Sequence, residues 1–383
     1  IYADTARITA RLGLTCSPRT RVADLPVGQQ QLVEIARALS AGARIIIMDE
    51  PTSSLTLTET RRLLELVKDL KAHNVSIIYI SHRMHEVKEI ADRAVVLRDG
   101  KNAGEIQRAE ITHDRMVRMM VGRDLKDFFK VEATNGKTNG SGGLEVRRLR
   151  TLRYPNQQVS FKVERGEVLG FAGLVGAGRS EVARAIFGVE EAIETDVVLD
   201  GTGLQIRGPQ DAITHGIYLI PEDRRLSGLI VDFNVRENIS LPNLESYSSA
   251  KIINFKKETS AAREACKAIN IKTPTTEMRA ANLSGGNQQK VVLAKWLTFA
   301  PRVLIFDEPT RGIDVGAKAE IYQLIRNLAA KGVSVIVISS EMEEVLGISD
   351  RIAVMHEGRV TGILDRAQFS EEAVMRLATG TEG

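Results

Sequence analysis

Leu304-Ile305-Phe306-Asp307-Glu308-Pro309-Thr310 reads as a short buried strand that runs into two acids and a turn. Ile46-Ile47-Met48-Asp49-Glu50-Pro51-Thr52 reads the same way, 258 residues earlier (307 minus 49). Ser81 and Ser339, Gly28 and Gly286, and Asp92-Arg93 and Asp350-Arg351 stand at that same offset. Four matches in one ungapped register predict a duplicated domain. The second copy can be followed upstream to about Leu144. The first copy enters past the point that corresponds to Gly173, so it is expected to lack a glycine-rich stretch that the second copy has. An opening at Ile1 without a methionine reads as an incomplete sequence. The polar, glycine-rich stretch Ala133 to Gly143 reads as a flexible linker. The predicted organisation is therefore 1–130, a linker over 131–143, and 144–383.

Composition narrows the class. The chain has 383 residues, of which 43% are hydrophobic and 26% charged, as in ordinary globular protein. A net charge of +3 gives no footing for a nucleic-acid-binding surface. Two distant cysteines, Cys16 and Cys266, do not make a disulfide framework and fit a reducing compartment. No apolar run approaches the roughly 20 residues of a membrane helix. Any membrane role must come through a partner.

Apolar, β-branched runs alternate with helical stretches. In the second copy the expected order is strand 167–173, helix 181–187, strand 303–307, helix 318–330 and strand 333–339. In the first copy it is strand 44–49, helix 59–72 and strand 75–81. Continuous rather than alternating apolar strands imply burial on both faces. Strand–helix–strand order implies an α/β fold with a parallel sheet covered by helices.

Gly173-Leu174-Val175-Gly176-Ala177-Gly178-Arg179-Ser180 follows a predicted strand and opens a helix. The pattern is that of a phosphate loop, with arginine where lysine is expected. Glycines let backbone N–H groups converge on phosphate oxygens, and the helix start adds partial positive charge. Ser180 would hold Mg²⁺ through its hydroxyl. Arg179 keeps a positive charge but is a planar fork, expected to bind phosphate while placing it poorly for chemistry. At the strand ends, Asp307 and Asp49 are the candidate Mg²⁺ anchors. Glu308 and Glu50 are the candidate residues that orient or deprotonate an attacking water.

Leu283-Ser284-Gly285-Gly286-Asn287-Gln288-Gln289-Lys290 closely resembles the signature motif of ABC-family ATPases. Ser284 is expected to cap a helix there, with Gly285 and Gly286 exposing backbone donors. The resemblance implies two tandem ABC-type nucleotide-binding domains with helical subdomains, the first truncated before its Walker A loop. It implies ATP and Mg²⁺ as cofactors. It carries ATP contacts to Gly173, Gly176, Ala177, Gly178, Arg179, Ser180 and Glu181, and to Ser284, Gly285, Gly286, Asn287 and Gln288. Glu50, His82 and Glu308 become the candidate catalytic residues, His82 matching the family's switch histidine. Ser180, Asp307, Asp49 and Glu222 become the candidate metal residues, Glu222 standing where the family usually has glutamine. Tyr154 lies near the place of an adenine-stacking aromatic.

Gly-Ala-Gly-Arg-Ser at 176–180, Pro221-Glu222-Asp223-Arg224, the second signature, and Asp307 to Lys318 together look like the fused ATP-binding subunits of bacterial monosaccharide importers. That resemblance implies transmembrane permease subunits as partners, and indirectly a periplasmic sugar-binding protein. It implies peripheral attachment to the cytoplasmic face of the inner membrane and no nucleic acid. The family's domains face each other head to tail, each signature completing the other's ATP site. The first copy's signature is altered to Leu25-Pro26-Val27-Gly28-Gln29, and the second copy has Ser340 in place of the switch histidine. One competent site, with Glu50, His82 and the intact second signature, and one degenerate site are therefore expected. Two other classes remain: a regulatory scaffold that only clamps nucleotide, and a soluble tandem ATPase acting on ribosomes or DNA. The short, glycine-rich linker, in place of a long charged helical one, speaks against the latter.

Overall fold

The computed structural model describes residues 2–14, 16–40, 43–52, 55, 57–81, 83–98, 100–121, 142–249 and 252–380. His82 and residues 131–141 of the expected linker lie outside the described residues. The chain divides into two compact units, Ile1–Leu125 and Lys126–Gly383.

In the first unit β1 (Ile45–Asp49) pairs in parallel with β2 (Ser76–Ile80), and the helix Leu57–Ala72 crosses between them. β3 (Arg93–Arg98) and β4 (Lys101–Gln107) form a separate antiparallel pair. Leu63, Leu64, Leu66, Val67 and Leu70 line one side of the long helix and bury it against Ile46 and Met48. This spacing of three and four residues is what an amphipathic helix needs.

The second unit is larger. An antiparallel sheet runs in the order β6–β5–β8–β9, with β5 at Gly143–Thr151, β6 at Val159–Glu164, β8 at Ala192–Leu199 and β9 at Thr202–Leu204. A six-stranded sheet has the order β10–β13–β14–β7–β15–β16. Its members are β7 (Val168–Gly173), β10 (Ile217–Ile220), β13 (Val303–Asp307), β14 (Ser334–Ile338), β15 (Arg351–His356) and β16 (Arg359–Asp365). Two short strands at 248–249 and 252–253 are β11 and β12. All pairings in the larger sheet are parallel except β15 with β16. The helix Val315–Ala330 makes the crossover from β13 to β14. The predicted strands and helices of both copies are present, with ends moved by at most three residues.

β13 and β14 are buried at every position, as continuous apolar runs require. β1 and β2 carry equivalent sequences, yet β1 alternates between exposed and buried and β2 is nowhere fully buried. The expectation of burial on both faces is corrected there. Ile45, Ile47, Ile78 and Ile80 are 47–66% exposed, whereas Val303, Ile305, Ile336 and Ile338 at the same offset are at most 2% exposed. The cause is the covering layer. In the second unit Phe161, Phe171, Val182 and Ile186 lie over Ile305, Ile336 and Ile338. The first unit has nothing equivalent among its described residues. Covering one such isoleucine contributes about 1.5–3 kcal/mol.

The repeat also appears in the backbone. Glu50 and Glu308 both have positive φ, 46° and 49°. Asn74 and Gly332, and Gly100 and Gly358, pair in the same way. Among the described residues no helix is long and apolar enough to cross a membrane.

This contrast makes a test. A lysine in place of Ile305 forces a charge between sheet and helix and should cost at least about 3 kcal/mol. Ile47→Lys places the same group on an open face and should change stability by less than about 1 kcal/mol. Trp296, the single tryptophan, sits in the second unit's core and reports that unit's unfolding midpoint in denaturant.

Candidate functional site

β7 ends in Gly173, and the helix Arg179–Phe187 begins six residues later. The loop between needs backbone that only glycine adopts easily. Gly173, Gly176 and Gly178 have φ of 150°, 86° and 101°. A Cβ on Gly173 would stand 2.4 Å from the Met355 carbonyl oxygen, and one on Gly178 would stand 3.1 Å from the Tyr154 ring. The loop therefore fits tightly between β15 and Tyr154. Ala177 is buried, and its carbonyl accepts from the Gly358 N–H at 2.9 Å. Glycine at 178 precedes the helix without a side-chain cap, leaving the first-turn donors to the loop's concave side.

Ser180 and Asp307 come together. The Ser180 hydroxyl donates to Asp307 Oδ1 at 2.9 Å. Asp307 is 2% exposed, and burial pushes its carboxyl up to about 6, partly offset by the Ser180 bond. Two hard oxygen ligands held at this distance fit a Mg²⁺ ion, which would take the Ser180 and Asp307 oxygens and neutralise phosphate charge when bound. Glu308 follows in a left-handed conformation, fixed by its N–H to the Ile338 carbonyl at 2.9 Å. Its carboxylate accepts from Ser340 Oγ at 3.0 Å. In the first unit Glu50 repeats this backbone, its N–H on the Ile80 carbonyl at 2.9 Å, beside Asp49 at the end of β1.

Several expected roles change. Arg179 does not line the loop's outer side. Its side chain runs among Phe171, Ile336 and Ile338, is 8% exposed, and donates to the Ser339 carbonyl at 2.6 Å. Burial lowers its pKa, opposed by Glu308, Asp307 and Glu181. A guanidinium has a long stem and a hydrogen-bonding fork, so the core satisfies both ends where a lysine would have to leave. Gln288 is fully buried, donating to the Ala280 carbonyl at 3.0 Å and accepting from Arg224 Nε at 3.3 Å. It braces the signature from inside rather than reaching outward. Ser284 stands at the helix start but makes no side-chain cap. Its hydroxyl accepts instead from the Asn287 amide at 2.9 Å, and Asn287 Oδ1 takes the Lys272 N–H at 2.8 Å. Gly285 abuts Arg224 and the Gly312 carbonyl, and Gly286 abuts Ala317, so neither has room for a side chain. Glu222 is ion-paired with Arg311 and is not joined to Ser180 or Asp307. Among the described residues no cluster of three or more His, Cys, Asp or Glu side chains is placed to hold a metal.

One neighbour of the loop, Arg153, was not legible in the sequence. Arg153 pairs with Glu181 at 2.5 Å and lies 5.7 Å from the Tyr154 ring centroid. Glu181 thus recruits a cation to the loop. The Tyr154 hydroxyl donates to the Gly176 carbonyl, so the ring is fastened over the loop. Arg153, in the bend after β5, and Glu181, in the helix after β7, meet only through tertiary packing, and no local pattern announces it.

A glycine loop on a strand end, a hydroxyl–carboxylate hook and a second carboxylate beside it define a P-loop nucleotide-binding cassette. The model of the ABC transporter family matches residues 2–53 and 156–311. The xylose import ATP-binding protein of Thermoanaerobacter pseudethanolicus is 48% identical, over 99% of this chain and 76% of that protein. The ribose import ATP-binding protein of Geobacillus kaustophilus is 47% identical, over 97% and 74%. A putative ribose/galactose/methyl galactoside import ATP-binding protein of Agrobacterium fabrum is 49% identical, over 98% and 74%. A nucleotide-free ATP-binding cassette of an ABC transporter superposes with a TM-score of 0.52 at 21% identity, over 62% of this chain and 95% of that one. The chain belongs to the ABC transporter family, and the relatives named here are sugar import ATP-binding proteins.

Ser180→Ala removes the hydroxyl of the hook and keeps the loop. Affinity for ATP in the presence of Mg²⁺ should fall about tenfold, or about 1.4 kcal/mol. Affinity in EDTA should stay within about twofold. Titration with a fluorescent ATP analogue reads both.

Proposed function

We propose that this chain is the ATP-binding and ATP-hydrolysing subunit that energises ABC-type import of a monosaccharide. The observation that carries the reading is the hook between Ser180, on the helix that follows β7, and Asp307, at the end of β13 one strand beyond β14, beside Glu308. A buried Asp307 whose carboxylate already accepts from a hydroxyl is placed to gain a divalent cation as a further partner for its charge. The high identity to xylose, ribose and galactose import ATP-binding proteins supports a sugar as the cargo. The subunit attaches to transmembrane permease subunits at the cytoplasmic face of a bacterial inner membrane. A periplasmic sugar-binding protein delivers the substrate.

The two acid pairs differ in duty. Asp49, Glu50 and His82 of the first copy carry the hydrolysing duty. Gly173–Ser180 and Glu308 of the second copy bind nucleotide and turn over slowly. The burial of Arg179 supports the second assignment, because its charge is spent on the Ser339 carbonyl and the neighbouring acids. Ser340 in place of a histidine supports it too: it serves Glu308 through a hydroxyl and has no proton to exchange near neutral pH.

Proteoliposomes that hold the assembled transporter test the reading. Uptake of ribose, xylose or galactose should require MgATP on the cassette side and the cognate binding protein. No MgATP-driven uptake of any of the three would count against a monosaccharide importer. Glu50→Gln should lower turnover at least about 100-fold, and Glu308→Gln less than about fivefold. The opposite ranking would exchange the two sites.

A further inference from the structure

Both cassettes bury a glutamate that the proposed chemistry does not use. Glu86 is 0% exposed and Glu344 is 1% exposed, again 258 residues apart (344 minus 86). Glu86 Oε1 accepts from the Thr52 hydroxyl at 2.7 Å, and Oε2 accepts from Tyr79 at 2.7 Å and Ser81 at 3.3 Å. Glu344 Oε2 accepts from the Thr310 hydroxyl at 3.2 Å and from Ser339. Thr52 and Thr310 lie two residues beyond Glu50 and Glu308. Ser81 and Ser339 open the loops that follow β2 and β14, and each serine oxygen also takes an N–H two residues on, at 3.0 Å.

We propose that Glu86 and Glu344 are positioning residues, each tying the turn that carries the acting glutamate to the loop after the next strand. The proposal rests on the reading that Glu50 and Glu308 face the attacking water. Its physical reason is the backbone. A non-glycine residue in the left-handed region costs of order 1–3 kcal/mol and persists only where its surroundings over-determine it. Glu50 and Glu308 are such residues. One strand-end N–H holds each from one side, and the threonine two residues on holds the turn from the other.

The two tethers are not equivalent. Arg83 stands 3.5 Å from Glu86 Oε1, so a guanidinium and three hydroxyls surround that carboxylate. At the matching positions the second cassette has Glu341 for Arg83 and Val337 for Tyr79. Glu341 is turned to Lys318, and Glu344 Oε1 has no hydrogen-bond partner. Burial pushes Glu344 up to about 7, so near neutral pH much of it keeps its proton. Arg179 adds a link that runs from the phosphate loop through the Ser339 carbonyl to this acid. The first tether sets its carboxyl group among a guanidinium and three hydroxyls, and the second is an acid with two hydroxyl partners on one oxygen and none on the other. The stiffer hold belongs to Glu50.

Amide hydrogen exchange on the whole chain reads the tether directly, and MgATP turnover of the transporter assembled with its permease reads its consequence. Thr52→Val deletes one hydroxyl at constant shape, and Thr52→Ser keeps it. Thr52→Val should speed exchange over residues 49–52 about tenfold and lower kcat about tenfold, with KM for ATP within about twofold. Thr52→Ser should stay within about twofold throughout. Glu86→Gln should behave like Thr52→Val, because its amide places donors against three hydroxyls. Glu344→Gln should stay within about twofold in exchange over 307–310 and in kcat, because an amide replaces a neutral acid. Unchanged exchange in Thr52→Val overturns the proposal. So does a KM that rises as kcat falls, or equal damage from the two Gln variants. A parent transporter without MgATP turnover would instead defeat the reading of the site, and the exchange arm alone would then decide the tether.

Discussion

The position of β7 between β14 and β15 is the constraint from which the second cassette's site follows. A parallel strand in that slot joins β14 to β15 and ends in the glycine loop at the same edge where β13, one strand beyond β14, ends in its acid pair. It delivers Phe171 to one face and, through the loop, the helix with Val182 and Ile186 to the same face. The first turn of that helix reaches past β14 to the end of β13, where Ser180 meets Asp307. The first unit shows the same chain logic without such a strand among its described residues. Its β2 and β3 belong to separate pairs, and its isoleucines face outward.

Around that frame, polar groups are used sparingly and with partners. Asp307, Glu344 and Arg179 are all buried, and each meets at least one hydrogen-bonding group. Desolvation raises the two acids and lowers the arginine, and each shift is opposed by the groups the side chain meets. The glycine loop's arginine is thereby turned inward, and the first acid of the pair stands above the usual carboxylate range. The first cassette's acids sit in a different setting, with Arg83 and Tyr79 about Glu86. The two units thus share backbone conformation at matching positions and differ in what surrounds their buried glutamates.

The signature shows how far motif reading carries. Its helix begins where the glycines placed it, and the glycines are close-packed as expected of a tight approach. Its side chains, however, are committed inward. Arg224 joins Gln288 to the carbonyls of Arg311 and Gly312, at 2.8 Å and 3.2 Å for the latter two. The loop at Pro221–Arg224 and the turn after the acid pair are thus fastened to the signature by one guanidinium. Spacing along the chain gives no access to such a three-way contact, since the partners are more than 60 residues apart.

The sequence by itself determined the duplication, the parallel α/β order, the glycine loop and the acid pairs, because these rest on periodicity, local backbone demands and repeat register. The strand 303–307 was placed to the residue on that basis. Tertiary structure decided what each polar side chain does: Arg179 on a core carbonyl, Ser284 on Asn287, Gln288 buried, Glu222 on Arg311, Arg153 at the loop. It also decided which strand faces are covered. The physical reason is that a motif prescribes backbone shape over a few residues, whereas a side chain's partner depends on which distant strand or helix folding sets beside it.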